Sequence, residues 1–139
     1  MTTATAHPPV VLKPDQIKSH DRGGGARTIP LVSPTIGATG FINGITEFGP
    51  SAAIPFHSHN CEESVMLLEG DAVLDMAGQE SVVLKKHDTT WLPANLSHRF
   101  RNLSDSAPMK ILWIYANAQA TRTLTESGET RYVYAEHKA

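Results

Sequence analysis

The chain has 139 residues and a formal net charge of −2, and this length is typical of one compact domain with its own core. Because the charge is nearly balanced and Lys/Arg residues form no cluster, the composition argues against a nucleic-acid-binding surface. No segment has the pattern of a bilayer span or a secretion leader. We therefore expect a cytoplasmic protein that binds neither nucleic acid nor membrane, and its single cysteine, Cys61, is compatible with a reducing compartment.

The first 28 residues have the composition of an N-terminal arm. They contain Pro8, Pro9 and Pro14 and, towards their end, the glycine run 23–25, and such residues interrupt regular structure. A short turn near residues 14–19 is the one place where helix is suggested. We therefore predict an arm over residues 1–28 and a single domain over residues 29–139.

From Ile29 onward, short apolar runs of strand length alternate with turn signals. These signals lie at residues 37, 40, 49–50, 70–71, 78, 87–88, 93–95 and 102–108. Such spacing is typical of an antiparallel β-sandwich or barrel. The predicted fold is all-β, with at most one short helix.

Two of the predicted strands, residues 64–69 and 109–116, are apolar on both faces. Because side chains alternate along a strand, Met66 and Leu68 point away from the face that Val65 and Leu67 share. The outer apolar face must be covered by the protein's own strands, by the arm or by another subunit. We expect a homodimer.

A cluster of metal-binding side chain types follows residue 56. His57, His59 and Glu63 are all odd-numbered, so an extended chain can direct them to the same side. A fourth candidate, His98, occurs later with Arg99 on the opposite face. Imidazole and carboxylate ligands suit a divalent Mn, Fe, Co, Ni, Cu or Zn ion, whereas the cysteine set of a structural zinc site is missing. The alternative is a half-exposed polar strand edge.

Glu62 and Cys61 compete with this set. Glu62 has the wrong parity for a ligand and is expected to be solvated or to lie behind the site. Cys61 has the right parity but lies where the chain is expected to loop out, so a small buried apolar role is favoured over a soft extra ligand.

Two segments of the chain resemble the motifs of the cupin superfamily. Residues 49–70 read GPSAAIPFHSHNCEESVMLLEG, and residues 87–102 read HDTTWLPANLSHRFRN. The resemblance implies a jelly-roll barrel (a double-stranded β-helix) of the small single-domain type, with His57, His59, Glu63 and His98 as the metal ligands.

Three glycine positions of the cupin motifs carry other residues in this chain. They are Ser51, His87 and Asn95. Asn, and to a lesser degree His, tolerates the positive φ for which glycine is used in turns. The substitutions therefore concern the turns and leave the ligand positions unchanged.

The resemblance limits the chemistry only weakly, because cupins include dioxygenases, decarboxylases, isomerases, lyases and non-catalytic binders. The motif strands contain no second acid that could form a proton-transfer pair, so catalysis would depend on the metal. We favour a metal-dependent enzyme that acts on a small organic molecule, and the alternative is a module that binds or senses such a ligand. The candidate walls of an apolar pocket are Phe56, Val65, Leu67, Trp91, Phe100, Ile111 and Trp113.

Overall fold

The computed structural model describes residues 7–137, so residues 1–6 of the predicted arm and residues 138–139 of the predicted domain lie outside the described part. Residues 7–137 form two six-stranded antiparallel sheets. The predicted all-β jelly-roll architecture is confirmed. No helix in the described residues has the length and apolar character needed to cross a membrane.

The strands lie in two sheets whose order differs from their order along the chain. The first sheet has the order β1 (His20–Gly23), β2 (Ala26–Pro30), β3 (Ile42–Phe48), β10 (Met109–Tyr115), β5 (Glu63–Glu69) and β8 (Thr89–Leu92). The second has the order β12 (Thr130–Tyr132), β11 (Thr121–Leu124), β4 (His57–His59), β9 (His98–Asn102), β6 (Ala72–Met76) and β7 (Val82–Leu84). The short 3-10 helices are Pro14–Gln16, where a turn was predicted, Pro34–Ile36 and Tyr134–His137.

The core lies between the sheets and is built by strict alternation along β3, β5 and β10. Every second side chain of these strands is buried, as a pleated strand with one covered face requires. Val65 and Leu67 point inward with Glu63, as predicted. The largest fully buried apolar side chains are Phe48, Phe100, Ile42, Leu67, Met109 and Val65.

The outer face of the first sheet carries an apolar row. Ile29, Ile45, Leu112 and Met66 are paired in register across four neighbouring strands, and all four are half-buried. This row matches the second apolar face that the sequence predicted. Its cover by a second subunit stays a prediction.

The segment predicted as an arm contributes strands to the barrel. β1 and most of β2 lie within residues 1–28, and β2 pairs with β3 along its length. Ala26 and Thr28 are fully buried. Gly23, at the end of β1, and Gly24 and Gly25, which form the turn to β2, all have positive φ, a conformation that glycine adopts without steric cost.

The substituted glycine positions keep the backbone conformation of glycine. Ser51, His87 and Asn95 have φ values of 59°, 74° and 69°, and they are the non-glycine residues with positive φ in the described part of the chain. The expectation that His87 and Asn95 replace glycine at positive φ is confirmed. The turns therefore keep their shape at the cost of some local strain.

A charge cluster holds β6 to β9 on the outer face of the second sheet. Arg99 and Arg101 point outward, as the sequence predicted for Arg99, but they are paired rather than simply solvated. Their Nε atoms donate to Asp75 Oδ2 at 2.9 and 2.8 Å, and the Ser81 hydroxyl donates to the same carboxylate. The hydrogen bond from Arg101, more than the other contacts, holds the pKa of Asp75 well below its usual range.

Replacing Asp75 with Asn should lower the free energy of unfolding at pH 7 by about 1–2 kcal/mol, because the half-exposed arginines lose a charged acceptor. A carboxylate whose folded pKa is depressed stabilises the fold above its unfolded pKa of about 3.9 and loses that contribution as the pH falls. The difference should therefore narrow below about pH 4. Urea denaturation at pH 7 and at pH 3 measures it, with Asp105→Asn in an exposed loop as the control. A difference that is equal at both pH values would contradict this account.

Candidate metal site

The four predicted ligand residues lie together between the two sheets, brought there by strand register. His57 on β4 is directly opposite His98 on β9, and Glu63 on β5 is directly opposite Tyr115 on β10. Directly opposite residues share a face and lie close together. One ring nitrogen from each of the three histidines lies within 4.8 Å of the others, and all four side chains are buried.

Each imidazole is fixed by a backbone carbonyl. The Nδ1 atoms of His57, His59 and His98 lie 2.7, 2.9 and 2.8 Å from the carbonyl oxygens of Pro55, Thr121 and Leu96, respectively. A carbonyl oxygen only accepts, so in the neutral ring Nδ1 carries the proton and Nε2 carries the lone pair. This is the arrangement in which metal-binding histidines are usually held.

The Nε2 atoms of His59 and His98 face the Glu63 carboxylate. His98 Nε2 lies 2.8 Å from Glu63 Oε1, and His59 Nε2 lies 3.8 Å from Glu63 Oε2. Despite the short separation, His98 Nε2 and Glu63 Oε1 have no hydrogen-bond partner of acceptable geometry, and neither has His59 Nε2. Buried lone pairs that face one another are unfavourable unless a proton or a cation lies between them. The donor set fits a first-row divalent metal.

The surroundings set the charge state of the histidines. Burial lowers the pKa of His57 well below its usual value and lowers the pKa of His59 to about 4, so both rings are neutral at physiological pH. Burial also acts to lower the pKa of His98, but the adjacent Glu63 carboxylate outweighs it and raises that pKa. Neutral imidazole is the form that binds a metal.

Tyr115 and Arg122 form a second group of polar residues beside the histidines. The Tyr115 ring lies 4.3 Å from the His59 ring and 4.8 Å from the Trp113 ring, measured between centroids. Arg122 lies directly opposite His59 on β11, is 7% exposed and forms a hydrogen bond with the Tyr115 hydroxyl. Burial, aided by the Glu63 carboxylate, raises the pKa of Tyr115 far above its usual value, so the phenol stays neutral.

A cavity of about 300 Å³ borders the histidine cluster on the side of His57. Its apolar lining consists of Ile54, Pro55 and Leu124, and its charged lining consists of Arg22, Arg122, Arg131 and Glu129. A wider depression of about 660 Å³ shares Pro55, Leu124 and Glu129 with it. The cavity therefore meets the histidine cluster at His57, and its volume lies in the range of small-ligand sites.

The comparison with protein families agrees with this arrangement. The family model of the cupin domain matches residues 44–115, which is more than half of the chain and includes all four clustered residues. The chain belongs to the cupin family.

Several proteins are similar to this cupin. The polyketide synthase CurC of Streptomyces cyaneus is 36% identical over 85 residues, which are 60% of this chain and 54% of CurC, so the chain spans about half the length of this curated relative. The polyketide cyclase RemF from Streptomyces resistomycificus gives a TM-score of 0.73 at 18% identity over 91% of this chain and 86% of RemF. The sugar phosphate isomerase SPO2919 from Silicibacter pomeroyi gives 0.70 at 23% identity over 87% of this chain and 85% of that protein. These two structural similarities show the fold alone.

The pocket expected from the sequence differs from the cavity in this cupin. None of the seven candidate wall residues lines the cavity beside His57. Trp91 is 65% exposed, and its Nε1 donates to Glu62 Oε1 at 2.7 Å, so Glu62 lies outside the cluster, whereas Phe56 lines the wider depression. Cys61 is half-buried against the core, as expected, and burial raises the pKa of its thiol.

Sequence analysis missed Arg22 and Arg122. Arg22 lies in the segment interpreted as an arm, and Arg122 lies in a short strand, TRTL, without apolar alternation. The one available signal was that Arg122 lies between two threonines, and such a pattern is too common to single out a site.

Replacing Tyr115 with Phe should leave the tyrosinate absorbance change of the native protein unaltered up to about pH 11, because the buried phenol does not ionise there. In guanidinium chloride, where all three tyrosines are exposed, the variant should lose about one third of the change. Spectrophotometric titration of both proteins in both solvents measures this. If the folded Tyr115→Phe variant showed a smaller tyrosinate absorbance change than the folded wild-type protein, Tyr115 would ionise in the fold.

Proposed function

We propose that this cupin is a metal-dependent enzyme that acts on a small organic carbonyl compound. The observation that carries the proposal is the set of three imidazoles whose Nδ1 atoms are all held by backbone carbonyls, while the Nε2 atoms of His59 and His98 face Glu63. The cavity at His57 gives a small molecule access to this set.

The ligands that we propose are His57, His59, Glu63 and His98, around one divalent ion of Mn, Fe, Co, Ni, Cu or Zn. When bound, such an ion polarises a ligand carbonyl or activates a water molecule, and a redox-active ion also permits oxygen chemistry. Of the four residues, His57 lines the cavity. A substrate would therefore approach from the His57 side.

The chain's own residues would orient a substrate and limit its contact with water. Ile54, Pro55 and Leu124 offer it an apolar wall, which excludes water from part of its surface. Tyr115 packs on the His59 ring and holds that imidazole in place. Neither the apolar wall nor the packing of Tyr115 on His59 involves a proton transfer, so neither role needs a further acid or base.

The names of two similar proteins narrow the substrate class. CurC is called a polyketide synthase and RemF a polyketide cyclase, and polyketides are rich in carbonyl and enolisable groups. The depression of about 660 Å³ that continues from the cavity has room for more than a small fragment. We propose a polyketide-like carbonyl compound as the substrate, with cyclase, lyase, decarboxylase, isomerase or oxygenase chemistry.

The partner that we propose is a second copy of the chain. It would cover the apolar row formed by Ile29, Ile45, Leu112 and Met66. None of these four residues lines the cavity. We also keep the prediction of a cytoplasmic protein that binds neither nucleic acid nor membrane.

Replacing His98 with Ala should remove most of the bound metal. The affinity for the metal should fall by more than the roughly 10–100-fold that is typical when a residue hydrogen-bonded to a metal ligand is removed. The fold should persist, because the apolar strands supply the core. Elemental analysis of the purified protein measures the metal, and circular dichroism checks the fold. His87→Asn is the matched control, since it replaces an exposed histidine at a positive φ that Asn tolerates; full metal retention by the His98 variant would contradict the ligand assignment.

Enzyme activity should depend on the same residue. A panel of small ketones, β-keto acids and hydroxylated aromatic ketones, with and without oxygen, should yield at least one product by liquid chromatography and mass spectrometry. Chelated protein and the His98→Ala variant should form none. If the metal-loaded protein binds panel members without converting any of them, the alternative of a binding or sensing module replaces the enzyme proposal.

A further inference from the structure

The cavity beside His57 has an excess of positive charge. Three arginines and one glutamate line it. Glu129 is engaged by Arg131, whose Nε donates to Glu129 Oε1 at 2.6 Å, and both side chains are largely exposed. Arg22 and Arg122 are the other two arginines that line the cavity.

Arg122 is held close to the histidine cluster. Its position opposite His59 and its hydrogen bond with Tyr115 fix the guanidinium at the inner wall, where it is 7% exposed. A group with this fixed positive charge, in a site shielded from water, strongly favours an anion.

Arg22 approaches the same cavity from the other sheet and is braced from behind. Its Nη1 donates to Thr28 Oγ1 at 3.1 Å. Thr28 Oγ1 lies 3.0 Å from Thr46 Oγ1, which accepts from Trp113 Nε1 at 2.9 Å. Because Thr28 and Thr46 are buried, these hydrogen bonds hold the Arg22 guanidinium in a fixed place.

We infer that Arg22 and Arg122 form a subsite for an anionic oxygen group of the ligand, a carboxylate or an enolate, in the cavity that opens onto His57. Guanidinium groups recognise such oxygens through charge-assisted hydrogen bonds. Arg22 lies on the first sheet and Arg122 on the second, and both line the cavity that His57 also lines. As a statement about substrate class, this inference rests on the proposed function, although the subsite itself consists of protein groups alone.

The test compares 4-fluorobenzoate with its neutral counterpart 4-fluorobenzamide by fluorine NMR titration of the full chain, both metal-free and loaded with zinc. The wild-type protein should bind the benzoate at least about tenfold more tightly than the benzamide in both forms. Arg22→Gln and Arg122→Gln should each lose about tenfold for the benzoate and little for the benzamide. Arg122→Lys should retain part of the preference.

Arg27→Gln is the matched control. Arg27 is exposed, is the neighbour of Thr28 in the chain, and donates from its guanidinium to Ser19 Oγ at 2.9–3.0 Å. The substitution removes the same charge and should leave benzoate binding unchanged. Circular dichroism checks folding, and if Arg122→Gln does not fold, Arg22→Gln and Arg122→Lys decide.

Two outcomes would overturn the inference. The first is that the wild-type protein binds no benzoate up to about 20 mM, which lies far above the expected range. The second is that the folded arginine variants bind benzoate as tightly as the wild-type protein does. A protein that takes up none of the six proposed metals but prefers benzoate in an arginine-dependent way would overturn the metal proposal and support the subsite. The two failures can therefore be told apart.

Discussion

Three hydrogen bonds to backbone carbonyls determine how the histidine cluster is built. Two of these carbonyls belong to Pro55 and Leu96, each two residues before the histidine it holds, so the chain positions these rings locally. The third belongs to Thr121 on β11, 62 residues away from His59. With Nδ1 engaged in every ring, the fold itself selects the tautomer whose Nε2 faces inward. The site therefore requires β11 to be paired with β4.

The two sheets contribute different parts of the site. The second sheet supplies the imidazoles and Arg122, whereas the first supplies Glu63 and Tyr115 as a directly opposed pair. Their approach is set by the apolar core between the sheets, in which Phe100 and Leu67 are fully buried. Because interiors are close-packed, a loss of core volume would move the carboxylate relative to the histidines, and the site is as rigid as the core beneath it.

The period-two pattern carried most of what the sequence could predict. It placed the ligand candidates on one face, separated Glu63 from Glu62, and predicted which side chains of β5 point inward. It could not reveal β1, since a glycine run beside polar residues is typical of a loop until a neighbouring strand pairs with it. Nor could it reveal Arg122, because cross-strand register between β11 and β4 joins positions distant in sequence, and TRTL has no apolar alternation.

A chain of buried polar and aromatic groups joins the cavity wall to the histidines. It runs from Thr28 through Thr46 to Trp113 by hydrogen bonds, and from Trp113 through Tyr115 to His59 by ring contacts. A glycine in the middle of β3 is explained by the same chain, because a Cβ on Gly44 would lie 2.4 Å from the Trp113 ring. Buried threonines are costly unless their hydroxyls are hydrogen-bonded. Here each hydrogen bond also fixes the next group in the chain. The threonines that hold Arg22 and the Tyr115 ring opposite Glu63 therefore belong to one packed assembly.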